Sequence, residues 1–186
     1  MKSAAGRFAQ WLVKNGASAR DVDVLIYGCE SLAGSLAICA AILIAGALQG
    51  NLLGAVCWIA FLIPVRSAAG GVHANSRLGC LALSISVGAA CTGAARWIKL
   101  RPLILLIGAA LSMTAVFLRA PVAHPDHPLG PVQKRRNRRR SVAAVLLEVV
   151  LIVTMCEARV PSRLCSSAFL GLGCATVSVL LAIPKK

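Results

Sequence analysis

The chain has 186 residues, of which 58% are hydrophobic, 14% charged and 4% aromatic, and its mean hydropathy is +0.80. Soluble domains carry about 25% charged residues, so an ordinary soluble enzyme, a disordered segment and a secreted disulfide scaffold are all excluded in favour of a membrane protein. Twenty Lys and Arg against six Asp and Glu give a formal charge of +14. In such a chain this reads as topology, because basic residues beside membrane spans are held on the cytoplasmic side and favour anionic lipid; nucleic acid is not an expected partner.

Residues 1–20 place Ala4, Phe8, Trp11 and Leu12 on one helical face with Lys2, Arg7 and Lys14 elsewhere. That pattern predicts a short amphipathic helix lying in the cytoplasmic interface, and the charges before the first long apolar run do not read as a cleavable signal. About 20 apolar residues cross a bilayer, with about 17 the practical minimum. Six stretches reach or approach that length: Val24 to Leu48, Gln49 to Val65, Leu78 to Ala95, Pro102 to Leu118, Ser141 to Cys156 and Leu164 to Ile183. The first two meet at Gln49-Gly50-Asn51, where Gly46, Gly50 and Gly54 let helix backbones approach closely.

The expected fold class is therefore all-α, a polytopic helical membrane bundle. It forms a single membrane domain over 1–186, with six transmembrane segments and both termini cytoplasmic. Lys2, Arg7, Lys14, Arg20, Arg66, Arg77, Arg119, Lys134, Arg135, Arg136, Arg138, Arg139, Arg140, Lys185 and Lys186 then lie inside, and Arg96, Lys99, Arg101, Arg159 and Arg163 outside. That is 15 of the 20 basic residues against 5, the bias that the positive-inside rule requires. The second and fifth spans are the weakest, and four spans plus re-entrant or interfacial segments is the alternative.

Cys29, Cys39, Cys57, Cys80, Cys91, Cys156, Cys165 and Cys174 include no C-x-x-C pair and nearly all fall within apolar runs. There Cys behaves as a small hydrophobe, so neither a zinc knuckle nor a disulfide framework is expected. Cys80 stands apart. The segment Arg66 to Cys80 joins the second and third spans on the basic side and holds His73, one of three histidines, beside a cysteine at the mouth of an apolar helix. Cys and His are the residues from which a thiolate nucleophile and its general base are made. Only the thiolate attacks, and helix N-termini and neighbouring imidazolium groups favour it. On one straight helix, His73 and Cys80 would stand about 10.5 Å apart along the axis, beyond hydrogen-bond reach. A working dyad therefore requires the chain to fold back between them, and Gly70-Gly71 and Asn75-Ser76 are residues that permit such turns.

The string Arg66-x-x-x-Gly70-Gly71-x-His73-Ala74-x-x-x-x-x-Cys80 resembles the signature of the accessory gene regulator B family, membrane cysteine endopeptidases that process quorum-sensing peptides in Gram-positive bacteria. Tyr27-Gly28-x-Glu30 and Ala120-Pro121-Val122-x-x-Pro125-x-x-Pro128-Leu129 also resemble that family, although it usually shows Asn where this chain has His124 and Asp126. The resemblance implies a cell-membrane enzyme whose substrate is a small precursor peptide with an amphipathic N-terminal helix, a central signal sequence and an acidic tail. It implies that Cys80, activated by His73, cleaves before the tail on the cytoplasmic side, and that a substrate cysteine then displaces Cys80 to close a thiolactone.

Within that scheme Arg66 orients the loop, the tail or the oxyanion, and Gly70 and Gly71 supply backbone conformations or N–H groups near the reacting carbonyl. Lys134, Arg135, Arg136, Arg138, Arg139 and Arg140, in a Pro-rich and polybasic cytoplasmic loop over 119–140, attract the acidic tail. No cofactor is called for. His124-Pro125-Asp126-His127 offers three donors where structural zinc takes four, so a turn is preferred to a metal site. A homodimer is expected, because so small a chain has limited surface with which to enclose a peptide. Two other readings stay open: a small peptide or ion transporter with Glu30 and Glu148 lining a path, and a scaffold that recruits partners through its basic run.

Overall fold

A computed structural model describes residues 4–16, 22–72, 76–98, 100–122 and 130–182. The described residues form seven helices: α1 (Ala4–Lys14), α2 (Val22–Leu48), α3 (Leu52–Ala69), α4 (Arg77–Trp97), α5 (Pro102–Arg119), α6 (Pro131–Glu157) and α7 (Ser162–Leu181). No strand occurs among them, and the architecture is a helical membrane bundle. Four stretches are long and apolar enough to cross a membrane: Leu25–Leu48, Leu52–Ala69, Pro102–Arg119 and Ser162–Leu181.

The two expected spans outside that set are short of apolar length for different reasons. In α4 the apolar stretch is Leu78–Ala94, diluted by Ser84, Ser86 and Thr92. In α6 the first turns carry the basic run and Glu148 interrupts the rest. The second span, expected to be weak, is by contrast a full helix, shifted toward the C-terminus. Gln49 and Gly50 form the turn and Asn51 precedes the first helical residue, so Arg66 stands in the last turn of α3 and not in a loop. Residues 131–140, expected in a loop, are also helical; Pro131 sits in the first turn, where its missing N–H costs nothing, and Lys and Arg are good helix formers.

The chain divides into two compact units, residues 1–41 and 42–186. In the first, α1 is the amphipathic helix that the sequence predicts, with Phe8 and Trp11 exposed and stacked at 5.7 Å between ring centroids. In the second, α7 packs on α3, α4, α5 and α6, most extensively on α3. Its buried face is dominated by small residues, among them Ser166, Ser167, Ala168, Gly171, Ala175 and Ser178, which let backbones approach where apolar burial against lipid gives little drive. Gly171 lies directly against the Trp58 backbone of α3. Leu105, Val116, Val145, Ile152, Leu172 and Val179 fill the core around it. Of the three hairpin glycines expected to bring α2 and α3 together, Gly46 does so, facing Ala55, whereas Gly54 faces the side chain of Asn51 at the start of its own helix and Gly50, in the turn, faces Arg96.

Polar residues fix both ends of the second unit. At one end Asn51 Nδ2 donates to the Thr92 carbonyl at 2.8 Å, and Gln49 Nε2 donates to the Ala89 carbonyl at 3.1 Å. Arg96 Nη1 donates to the Gln49 carbonyl, and Ser166 Oγ donates to the Ile98 carbonyl at 2.9 Å. The opposite end gathers the last turns of α3 and α7 and the segment that follows α5, through the backbone bonds described next.

Candidate active site

α3 ends at Ala69 because Gly70 adopts φ 76°, a left-handed conformation open to glycine at little cost. Its N–H still closes on the Arg66 carbonyl at 3.0 Å. Helix ends leave their last carbonyls without intrahelical donors, and two neighbouring segments supply them here. The Val122 N–H donates to the Ala69 carbonyl at 2.8 Å, and the Val72 N–H donates to the Ser178 carbonyl, near the end of α7, at 3.1 Å. The same Val72 N–H reaches Ser178 Oγ at 3.2 Å.

Arg66 completes the arrangement. Its Nη1 donates to Ser178 Oγ and its Nη2 donates to the Val72 carbonyl at 3.0 Å. Of the three roles expected for this residue, orienting the loop is the one for which the structure displays partners. Gly70 and Gly71 are required by space as well as by backbone conformation. A side chain on Gly70 would strike the Val122 carbonyl oxygen, and one on Gly71 would strike Ser178 Oγ. The turn between α3 and α4 is thus built on three sides, by Arg66, by Ser178 and by Val122.

α4 begins after Ser76, whose Oγ accepts the Gly79 N–H at 3.0 Å in an N-cap. The Cys80 N–H donates to the Ser76 carbonyl at 3.0 Å. Cys80 therefore occupies the first turn of α4, partly exposed, as the sequence predicts. Gly70, Gly71 and Val72 are not helical, and the fold-back expected between His73 and Cys80 falls on residues 73–75, outside the described residues. His73 and the Arg77 side chain lie outside the described residues, as do His124, Asp126 and His127.

The other expected residues sort by position. Arg135, Arg136, Arg138, Arg139 and Arg140 are exposed on the first turns of α6 together with Lys134, and Arg138 lies over the Phe117 ring at 5.6 Å. Between α5 and α6 an open cavity of about 290 Å³ is lined by Met113, Thr114, Phe117, Leu118, Val142, Val145 and Leu146. Glu148 is 3% exposed. It continues the buried face of α6 with Ser141, Val145 and Ile152, and no hydrogen-bond partner reaches either carboxyl oxygen among the described residues. Cys91 and Cys174 face each other with sulfurs 3.6 Å apart, and no group of three metal-binding side chains occurs among the described residues.

Sequence reasoning did not find Ser178 or Ala69, and met Val122 only within the Pro-rich stretch, with no role assigned. Two of these act through backbone groups, which leave no mark on side-chain identity, and Ser178 is one of several hydroxyls spaced along an apolar helix.

An all-helical membrane protein with a cysteine in the first turn of a helix, beside a turn braced by arginine, is the class that fold and site define. The family model Accessory gene regulator B matches residues 5–182, and the chain belongs to that family. Membership makes it a membrane protein of quorum-sensing peptide processing, in a family known for processing proteases. No curated protein and no solved structure matches the chain.

Proposed function

We propose that this protein is a cysteine endopeptidase that cleaves a small precursor peptide at the cytoplasmic face of the membrane and promotes its cyclisation. The observation that carries the reading is the position of Cys80 in the first turn of α4, one capped turn beyond a loop whose backbone is held in place up to Val72. His73 follows Val72 directly.

In this reading His73 takes the Cys80 proton, and the sulfur attacks the carbonyl carbon preceding the acidic tail. The tetrahedral oxyanion collapses, the C–N bond breaks, and His73 returns the proton to the departing amine. A peptidyl thioester on Cys80 remains. A substrate thiol then attacks the same carbonyl, Cys80 leaves, and a thiolactone closes. Exchange of one thioester for another is near thermoneutral, so acyl activation survives until the ring forms. Holding the thiol beside the carbonyl supplies effective molarities of about 10⁵ M or more for well-oriented groups, provided water is excluded.

The basic turns of α6 suit an acidic tail, anionic lipid suits the same charges, and a homodimer would enclose the peptide more fully than one chain. The transport alternative needs Glu148 on a path, whereas its carboxyl sits on the packed face of α6.

The test is co-expression of a precursor peptide encoded beside this chain with wild type, Cys80→Ala and His73→Ala, followed by mass spectrometry. Wild type alone releases the tail, and the product mass separates the cyclic from the hydrolysed form. Equal processing by all three chains would overturn the proposal.

A further inference from the structure

Ser178 has three polar contacts around the turn that leads to His73. Its hydroxyl accepts from Arg66 Nη1 and from the Val72 N–H at 3.2 Å, and its carbonyl accepts from the same N–H at 3.1 Å. A serine oxygen has two lone pairs, so both of these acceptor positions are in use. The two donors are not independent, because Arg66 also binds the Val72 carbonyl at 3.0 Å. Ser178 and Arg66 therefore hold both the N–H and the C=O of Val72, which fixes the orientation of that residue's peptide groups. The hydroxyl also occupies the space that a side chain on Gly71 would need. Ser178 is itself buried, so a hydroxyl placed there without partners would be costly.

We infer that Ser178 is a positioning residue for the proposed His73–Cys80 dyad: together with Arg66 it fixes the peptide groups of Val72, the residue that precedes His73 in the chain. The inference rests on the proposed dyad. Removing the hydroxyl leaves the guanidinium and the Val72 N–H each short of one acceptor, while the Ser178 carbonyl still holds the N–H. The loop loosens without unfolding of α7. A displacement of about 1 Å at a reacting group costs about 10²-fold in rate, so the expected effect falls on kcat and leaves KM nearly unchanged.

The test uses the full chain in native membranes, with iodoacetamide as the probe and peptide mapping by mass spectrometry to follow each cysteine separately. Wild type, His73→Ala, Ser178→Ala and Ser178→Thr are compared across neutral and mildly alkaline pH. Alkylation of Cys80 at neutral pH is expected to slow about tenfold in Ser178→Ala, giving a pH profile that approaches that of His73→Ala. Ser178→Thr, which keeps the hydroxyl, restores the wild-type profile, and continued protection of Cys165, buried on α7, reports that the fold is retained. A wild-type profile for Ser178→Ala, alongside an altered one for His73→Ala, would overturn the positioning role and leave the dyad standing. A wild-type profile for His73→Ala would remove the dyad and the positioning role with it.

Discussion

The Val122 N–H reaches the carbonyl of Ala69 at 2.8 Å, so the end of α3 and the segment that follows α5 are tied directly beneath the Gly70 turn. A methyl group on Gly70 would meet the Val122 carbonyl oxygen in the same place, and φ 76° disfavours any other residue. Gly70→Ala is expected to destabilise by about 1–2 kcal/mol from backbone conformation alone, with the clash in addition. Thermal unfolding in detergent reads the loss, and precursor processing falls further than the stability change accounts for. Unchanged unfolding would mean that the turn can adopt another conformation.

Ser76→Ala removes the N-cap on which the first turn of α4 depends. The expected loss is about 0.5–2 kcal/mol, and Cys80, whose N–H bonds to the Ser76 carbonyl, loses a defined position. Ser76→Asp, which preserves the cap acceptor, restores stability. If Ser76→Ala and Ser76→Asp unfold at the same temperature, the hydroxyl is not the anchor of that turn.

Asn51→Ala tests the opposite end of the unit. Both Asn51 and Thr92 are buried, and interhelical hydrogen bonds in membranes are worth about 0.6–2 kcal/mol. Stability should drop by that amount while cleavage per folded molecule is retained, because among the described residues no hydrogen bond of Asn51 reaches the α3–α4 turn. A selective loss of cleavage would link the two ends functionally.

Glu148→Gln replaces a buried carboxyl that lacks a hydrogen-bond partner among the described residues. A buried carboxyl costs more than a buried amide, so the amide should raise stability by about 1 kcal/mol, or about 2–4 °C in unfolding temperature for a chain of this length. Processing should continue. Loss of processing with stability intact would return Glu148 to consideration as a residue on a transport path.

Converting Lys134, Arg135, Arg136, Arg138, Arg139 and Arg140 to Gln should raise KM for an acidic-tailed precursor by about tenfold and flatten its salt dependence, with kcat little altered. Steady-state kinetics at two ionic strengths separates the terms. An equal fall in kcat would place these side chains closer to the reacting bond.

Much of this architecture was legible in the sequence because a lipid environment forces it. Apolar stretches of spanning length must be helical, and four of the six expected ones are long and apolar enough to span. Cys80 at the mouth of α4 followed from the apolar run that begins at Leu78. The end of α3 was harder to read. Arg66 looks like a loop residue by charge, but the helix continues to Ala69, where Gly70 turns the chain and Val122 takes up the exposed carbonyl. No local pattern announces a partner so distant in sequence. The basic run is the converse case: its charge suggested a loop, although Lys and Arg are good helix formers and Pro131 suits a helix start.

The bond from Val72 to Ser178 also bears on the order in which the protein is made. A nascent chain completes α3 and α4, with His73 and Cys80 already joined to them, well before α7 leaves the ribosome. Until that last helix enters the membrane, Val72 and Arg66 have no hydroxyl to bind. Assembly of this turn is accordingly a late event in biogenesis, and a chain released early would carry His73 and Cys80 without the brace that holds Val72.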